Sequence, residues 1–118
     1  MFKRISYVYQ SVPDVAKSCE FFEKKLGFKL NTNQADVKGL VVGTGYLILH
    51  KEDPKFQAAA RGVGANVCVE VEDVDAYHAT LEQRGVKVGA ITNQPWGQRD
   101  FYLNDPDGYS WCFAQAMR

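Results

Sequence analysis

What this sequence has little of narrows it first. No apolar run approaches the ~20 residues that a bilayer-crossing helix requires, so no helical membrane anchor is expected. Charge of neither sign is in excess: Lys plus Arg number 14 and Asp plus Glu number 14. That balance argues against a broad nucleic-acid face and against a polybasic membrane patch. Cysteine is sparse, with Cys19, Cys68 and Cys112 giving an odd number without CxxC spacing. They do not read as a disulfide framework, and with no signal-peptide pattern a reducing cytoplasm is the expected compartment. Only two histidines, His50 and His78, could serve as imidazole ligands. A Walker loop, a dinucleotide fingerprint and a Ser–His–Asp set are all missing.

What is present is one unit written twice. The 118 residues are a single-domain length, enough to bury roughly 65% of the unfolded surface without staples. Val12-Pro13-Asp14-Val15 introduces Ala16 to Leu26 and then Gly27-Phe28-Lys29-Leu30. Val71-Glu72-Asp73-Val74 introduces Asp75 to Arg84 and then Gly85-Val86-Lys87-Val88. The second copy is one residue shorter within its helix. Asp14 and Asp73 are placed to accept hydrogen bonds from the first helical turn. Val15, Cys19, Phe22 and Leu26 form an apolar stripe at helical spacing, matched by Val74, Tyr77, His78 and Leu81. Gly27 and Gly85 stand where a left-handed residue ends a helix.

Strand-like segments surround the helices. In the first half they are Ile5 to Val12, Phe28 to Thr32, Gly39 to Val42 and Tyr46 to His50. In the second half they are Asn66 to Val71, Val86 to Ile91, Arg99 to Leu103 and Tyr109 to Ala114. Asp105-Pro106-Asp107-Gly108 predicts a tight turn between the last two. Two β-α-β-β-β modules follow, at about 1–50 and 64–118, with a linker over 51–63.

This duplicated module is similar to the vicinal oxygen chelate superfamily, the glyoxalase, bleomycin-resistance and extradiol dioxygenase group. The resemblance covers essentially the whole chain. It rests on Val12-Pro13-Asp14-Val15 with Phe21-Phe22 and Leu26-Gly27-Phe28. It rests equally on Val69-Glu70-Val71-Glu72-Asp73-Val74-Asp75 and Asp105-Pro106-Asp107-Gly108-Tyr109. Gln94-Pro95-Trp96-Gly97 with Phe101 and Leu103 resembles the bleomycin-resistance type more narrowly. The resemblance implies an α+β fold: two tandem βαβββ modules forming a curved, cup-shaped mixed sheet with helices on its outer face. It also implies that two chains pair as a homodimer.

Enzymes of the superfamily carry His and Glu metal ligands on the first and last strands of each module. Carried over by the flanking motifs, these positions fall on Tyr7, Asn66, Cys112 and one residue within Leu47 to Leu49. Divalent transition metals need imidazole, carboxylate or thiolate donors. A phenol, an amide and one thiol do not supply them, so neither a metal, another cofactor nor a catalytic residue is expected. His78 and the three cysteines read as packing residues.

Strand alternation then assigns the faces. Tyr7 and Tyr9, Asn66, Cys68 and Glu70, Asp100 and Tyr102, and Ser110 and Cys112 turn into the cup. Val67, Val69, Val71, Phe101, Leu103, Tyr109, Trp111 and Phe113 turn toward the core under the helices. The expected ligand-binding set is therefore Trp96 at the rim with Tyr102, Tyr7, Tyr9, Asn66, Glu70, Asp100 and His50. Such a lining suits a flat aromatic small molecule, and Glu70 and Asp100 would accept a cationic one. The leading function is a metal-independent, drug-sequestering binder. A metal-dependent lyase, isomerase or dioxygenase is the alternative, and an interaction module with a vestigial cup is a third. Zero net charge weighs against a strongly basic drug such as bleomycin itself.

Overall fold

Asp14 and Asp73 open two helices in the same way. Each has extended backbone, and each Oδ1 accepts the backbone N–H three residues on, Lys17 N and Ala76 N, both at 3.0 Å. A carboxylate at that point satisfies an amide the helix cannot pair and faces the positive end of the helix dipole. The computed structural model in which these caps are seen describes residues 1–52 and 66–117. Among the described residues no helix is long and apolar enough to cross a membrane.

The extra residue of the first copy has a structural consequence. Helix α1 (Val15–Glu20) passes directly into a π-helical turn, Phe21–Leu26, whereas α2 (Val74–Gln83) is α-helical throughout. Gly27 N–H bonds Phe22 O, five residues back, where an α-turn would reach four. The added residue is taken up as a wider turn, so Val15, Cys19, Phe22 and Leu26 all remain buried. Both helices end on a left-handed glycine, Gly27 at φ 86° and Gly85 at φ 78°. At the second stop Gly85 N donates to Glu82 O at 3.0 Å and Val86 N to Leu81 O at 3.0 Å, the paired bonds of a Schellman ending.

The chain divides into two compact units, Met1–Ala59 and Ala60–Arg118, each holding one copy. In the first, β1 (Tyr7–Val12) runs parallel to β4 (Gly45–Lys51). Strands β3 (Val37–Val42) and β2 (Lys29–Asn33) follow antiparallel, giving the order β1-β4-β3-β2. In the second, β5 (Asn66–Glu70) runs parallel to β8 (Ser110–Ala116). Strands β7 (Gln98–Asn104) and β6 (Thr92–Gln94) follow antiparallel, giving β5-β8-β7-β6. The α+β class and the two βαβββ modules are therefore as the sequence implies, as two four-stranded mixed sheets. The predicted linker begins one residue early, since Lys51 completes β4, and 53–63 lies outside the described residues.

Each helix seals one face of its own sheet. In the first module Leu40, Leu47, Leu49 and Val12 are buried with the α1 stripe. In the second, Tyr77 of α2 packs on Phe101 and Phe113, with ring centroids at 6.2 and 5.0 Å. His78 meets Phe101 edge-on at 4.8 Å, and its Nε2 lies 2.9 Å from Gly89 O. It is a packing residue, as its place on the stripe implies. Burial pushes the Tyr77 phenol up to about 12.

One expected strand is different. Val86 to Ile91 is predicted as the sixth strand, but β6 covers only Thr92–Gln94. Val86 N–H is spent on the helix stop, and Gly89 N makes a single bond to Tyr102 O at 2.8 Å. A Cβ at Gly89 would stand 3.0 Å from that carbonyl, so the segment touches β7 closely at one point instead of forming a ladder.

The turn between β7 and β8 depends on Asp105, which is 5% exposed. Its Oδ1 accepts Asp107 N at 2.9 Å and Tyr109 N at 3.0 Å, and its Oδ2 accepts Trp111 Nε1 at 3.1 Å. Burial raises its carboxyl above the ordinary carboxylate value, outweighing the lowering by these three donors. Asp105→Ala removes the acceptor of all three at once. We expect a stability loss of about 2–3 kcal/mol, measured by urea unfolding with fluorescence detection.

Candidate functional site

With one face of each sheet given to its helix, the opposite face carries the remaining chemistry. In the second module the register places three rows on it. Asn66 pairs with Ser110 and Ser110 with Asn104; Cys68 pairs with Cys112 and Cys112 with Tyr102. Glu70 pairs with Ala114, Ala114 with Asp100, and Asp100 with Thr92. The intervening rows, Val67–Trp111–Leu103 and Val69–Phe113–Phe101, lie on the helix side. Polar and apolar residues thus separate by strand parity, as predicted from alternation.

The middle row is chemically distinctive. Cys68 Sγ lies 3.3 Å from Cys112 Sγ, and both thiols are free. Cys68 is exposed while Cys112 is 1% exposed. Burial, reinforced by the hydrogen bond with Cys68, pushes the Cys112 thiol up to about 12. Tyr102, 41% exposed, hydrogen-bonds the Cys112 side chain, which is the main cause of its own raised phenol value.

The next row explains the Pro-Trp-Gly motif. Asp100 is 1% exposed, and both its oxygens are taken: Gln94 Nε2 donates to Oδ1 at 3.0 Å and Gln98 Nε2 to Oδ2 at 2.8 Å. Gln94 and Gln98 are register partners that close the β6–β7 hairpin. Between them stand Pro95, Trp96 and Gly97, the last left-handed at φ 89° with its N–H on Gln94 O at 3.1 Å. Pro suits the start of such a three-residue loop and Gly its left-handed end. Trp96 is left at the tip, 67% exposed. Asp100 is thus no open carboxylate for a ligand, contrary to its assignment to the ligand-binding set. It is the brace of the hairpin that carries Trp96.

In the first module the helix-free face holds the rows Tyr7–Tyr46–Val41 and Tyr9–Ile48–Gly39, with Ser11, His50 and Val37 in the third. Tyr7 and Tyr9 are 58% and 53% exposed. His50 stacks on Tyr9 with centroids 5.8 Å apart, and its Nδ1 lies 2.8 Å from Lys51 O. The open register within Leu47 to Leu49 is settled as well: Ile48 shares the face of Tyr9, while Leu47 and Leu49 are buried on the helix side.

The positions to which the flanking motifs carry the superfamily's metal ligands are Tyr7, Asn66 and Cys112, and within Leu47 to Leu49 the residue on the helix-free face is Ile48. An alkyl chain, a phenol, an amide and a buried thiol that resists ionisation do not make a transition-metal donor set. Among the described residues no group of three His, Cys, Asp or Glu is gathered. The residues present do not fit the metal that the superfamily's enzymes hold.

Of the predicted set, the second module brings Asn66, Glu70 and Tyr102 onto one face with Asp100 beneath its hairpin, and the first brings together Tyr7, Tyr9 and His50. Gln94, Gln98 and Tyr46 were not anticipated. A carboxylate two residues after a tight hairpin loop whose two ends are glutamines is the signal that points to the brace. Tyr46 becomes visible only once the β1–β4 register is known.

The model of the Glyoxalase/Bleomycin resistance protein/Dioxygenase superfamily matches residues 4–113. The virulence protein STM3117 of Salmonella typhimurium is 25% identical over 113 residues, covering 89% of this chain and 78% of that protein. TnmS3, an antibiotic binding protein from Streptomyces sp. CB03234, superposes with a TM-score of 0.82 at 26% identity, over 98% of this chain and 97% of that one. Lactoylglutathione lyase from Agrobacterium tumefaciens superposes with a TM-score of 0.78 at 19% identity, over 95% and 92% of the two chains. That last likeness is one of fold alone.

Asp100→Ala leaves the Gln94 and Gln98 amides without their shared carboxylate. We expect a loss of about 2–4 kcal/mol, two charge-assisted bonds being involved, together with increased mobility of Trp96. Urea unfolding and tryptophan fluorescence anisotropy check both; unchanged anisotropy would remove the bracing role.

Proposed function

Because the chain belongs to the Glyoxalase/Bleomycin resistance protein/Dioxygenase superfamily, we propose that it binds a small aromatic molecule without a metal and without transforming it. The observation that carries this reading is Trp96, a large indole presented to solvent on a hairpin tip that a buried carboxylate braces. An exposed aromatic on a braced support offers stacking area at little entropic cost. Tyr102, Asn66 and Glu70 on the helix-free face of the same module supply a further ring and hydrogen-bonding edges; in the first module Tyr7, Tyr9 and His50 form an aromatic group of their own. The named activity of TnmS3, antibiotic binding, supports the same reading. The donor set at the superfamily's metal positions supports a binder over a lyase or dioxygenase.

Glu70, exposed on β5, gives a cationic ligand its counter-charge. The net charge of zero provides no long-range pull on a strongly basic drug, so a planar ligand of low charge fits better than bleomycin. The homodimer that the superfamily resemblance implies belongs to this proposal and is read by sedimentation equilibrium.

The test is calorimetric titration with planar aromatic compounds, neutral and cationic, with bleomycin included, in chelator and then with divalent metal. Saturable binding in chelator is expected, weakened about tenfold or more in Trp96→Ala. Glu70→Gln is expected to weaken the cationic compounds selectively. Binding that requires added metal would overturn the metal-free reading, and absence of binding across the panel would overturn the binder.

A further inference from the structure

Cys68 and Cys112 are register partners on the parallel strands β5 and β8, with sulfurs 3.3 Å apart and no bond between them. Paired strands hold their backbones about 4.8 Å apart, inside the Cα separation that a disulfide accepts. The sulfurs need to approach by only about 1.3 Å to reach bonding distance, a movement of side chains and not of strands. Cys68 is exposed and Cys112 beside it is buried, so an oxidant meets Cys68 first. Cys19, by contrast, is buried in the core of the first module.

We infer that Cys68 and Cys112 form a reversible dithiol–disulfide couple on the helix-free face of the second module, oxidised by small disulfides of the glutathione type. The Cys68 thiolate attacks one sulfur of oxidised glutathione. The glutathione S–S bond breaks, one glutathione thiolate leaves, and Cys68 carries a mixed disulfide. Cys112, giving up its proton, then attacks the Cys68 sulfur, and the mixed bond breaks to release the second glutathione. Two protein thiols and one small disulfide become one protein disulfide and two glutathione thiols, the protein's two protons ending on those thiols. The buried Cys112 thiol is held protonated, which leaves Cys68 as the attacking group and Cys112 as the resolving one. Oxidation also removes the Cys112 thiol to which Tyr102 is hydrogen-bonded, so the Tyr102 phenol loses that bond. The couple does not depend on the identity of any ligand of this face.

The experiment treats the full chain with oxidised glutathione, then counts free thiols in denaturant and maps tryptic peptides without reduction. The count is expected to fall from three to one. Residues 62–84 and 100–118 are expected as one linked species, lighter by two hydrogens and separated by dithiothreitol. In Cys112→Ala the reaction is expected to stop at a stable glutathione adduct on Cys68. Three thiols remaining, an adduct on Cys68 of the native chain without the linked peptide, or a link between two chains would each overturn the couple. The native-chain mapping decides the question even where the variant does not fold.

Discussion

Side chains on a strand alternate between two faces, and in both modules a helix claims one of those faces entirely. The claim is hydrophobic: Leu40, Leu47 and Leu49 lie under α1 in one module, and Phe101, Phe113 and Trp111 on the α2 side in the other. Once that face is committed, a slip of one residue would expose the whole apolar set and bury its polar neighbours. Register is therefore held firmly, and with it every position on the opposite face. The rows Cys68–Cys112–Tyr102 and Tyr9–Ile48–Gly39 follow from core packing they take no part in.

Two buried carboxylates in the second module illustrate what it takes to keep charge out of water. Asp105 and Asp100 are both nearly inaccessible, and both have each oxygen occupied by donors. Each ties a turn: Asp105 the connection into β8, Asp100 the hairpin that presents Trp96. A buried polar group is costly when unpaired and stiffening when fully paired. The two acids thus rigidify the two connections they tie. The Asp75–Arg99 pair, at 2.7 Å on exposed side chains, is a weaker tie of α2 to β7.

The two copies share a frame and differ in what they hang on it. Equivalent positions carry Tyr7 and Asn66, Tyr9 and Cys68, Ile48 and Cys112. One module thereby presents aromatic rings, the other thiols and amides. The backbone tolerates a further difference, the residue absorbed by the π-turn before Gly27, because the buried stripe can be kept in phase by widening a single turn.

Much of this was legible in the residues alone. Caps at Asp14 and Asp73, stops at Gly27 and Gly85, the apolar stripes and the period-2 parity of β5, β7 and β8 are local consequences of backbone geometry and hydrophobic patterning. The sequence needs only its own spacing to express them. What spacing cannot express is pairing. Which of Leu47 to Leu49 shares a face with Tyr9 depends on how β4 lies beside β1, strands separated by a helix and two further strands. That Cys68 and Cys112 touch depends on a parallel pairing across the whole second module. Asp100 has the parity of a ligand contact, yet two glutamine amides brought in by the hairpin convert it into a buried brace. The sequence determined the elements and the faces they offer, because those depend on neighbours along the chain. The tertiary structure decided which side chains meet, because contacts between distant strands are set by the packing of the core.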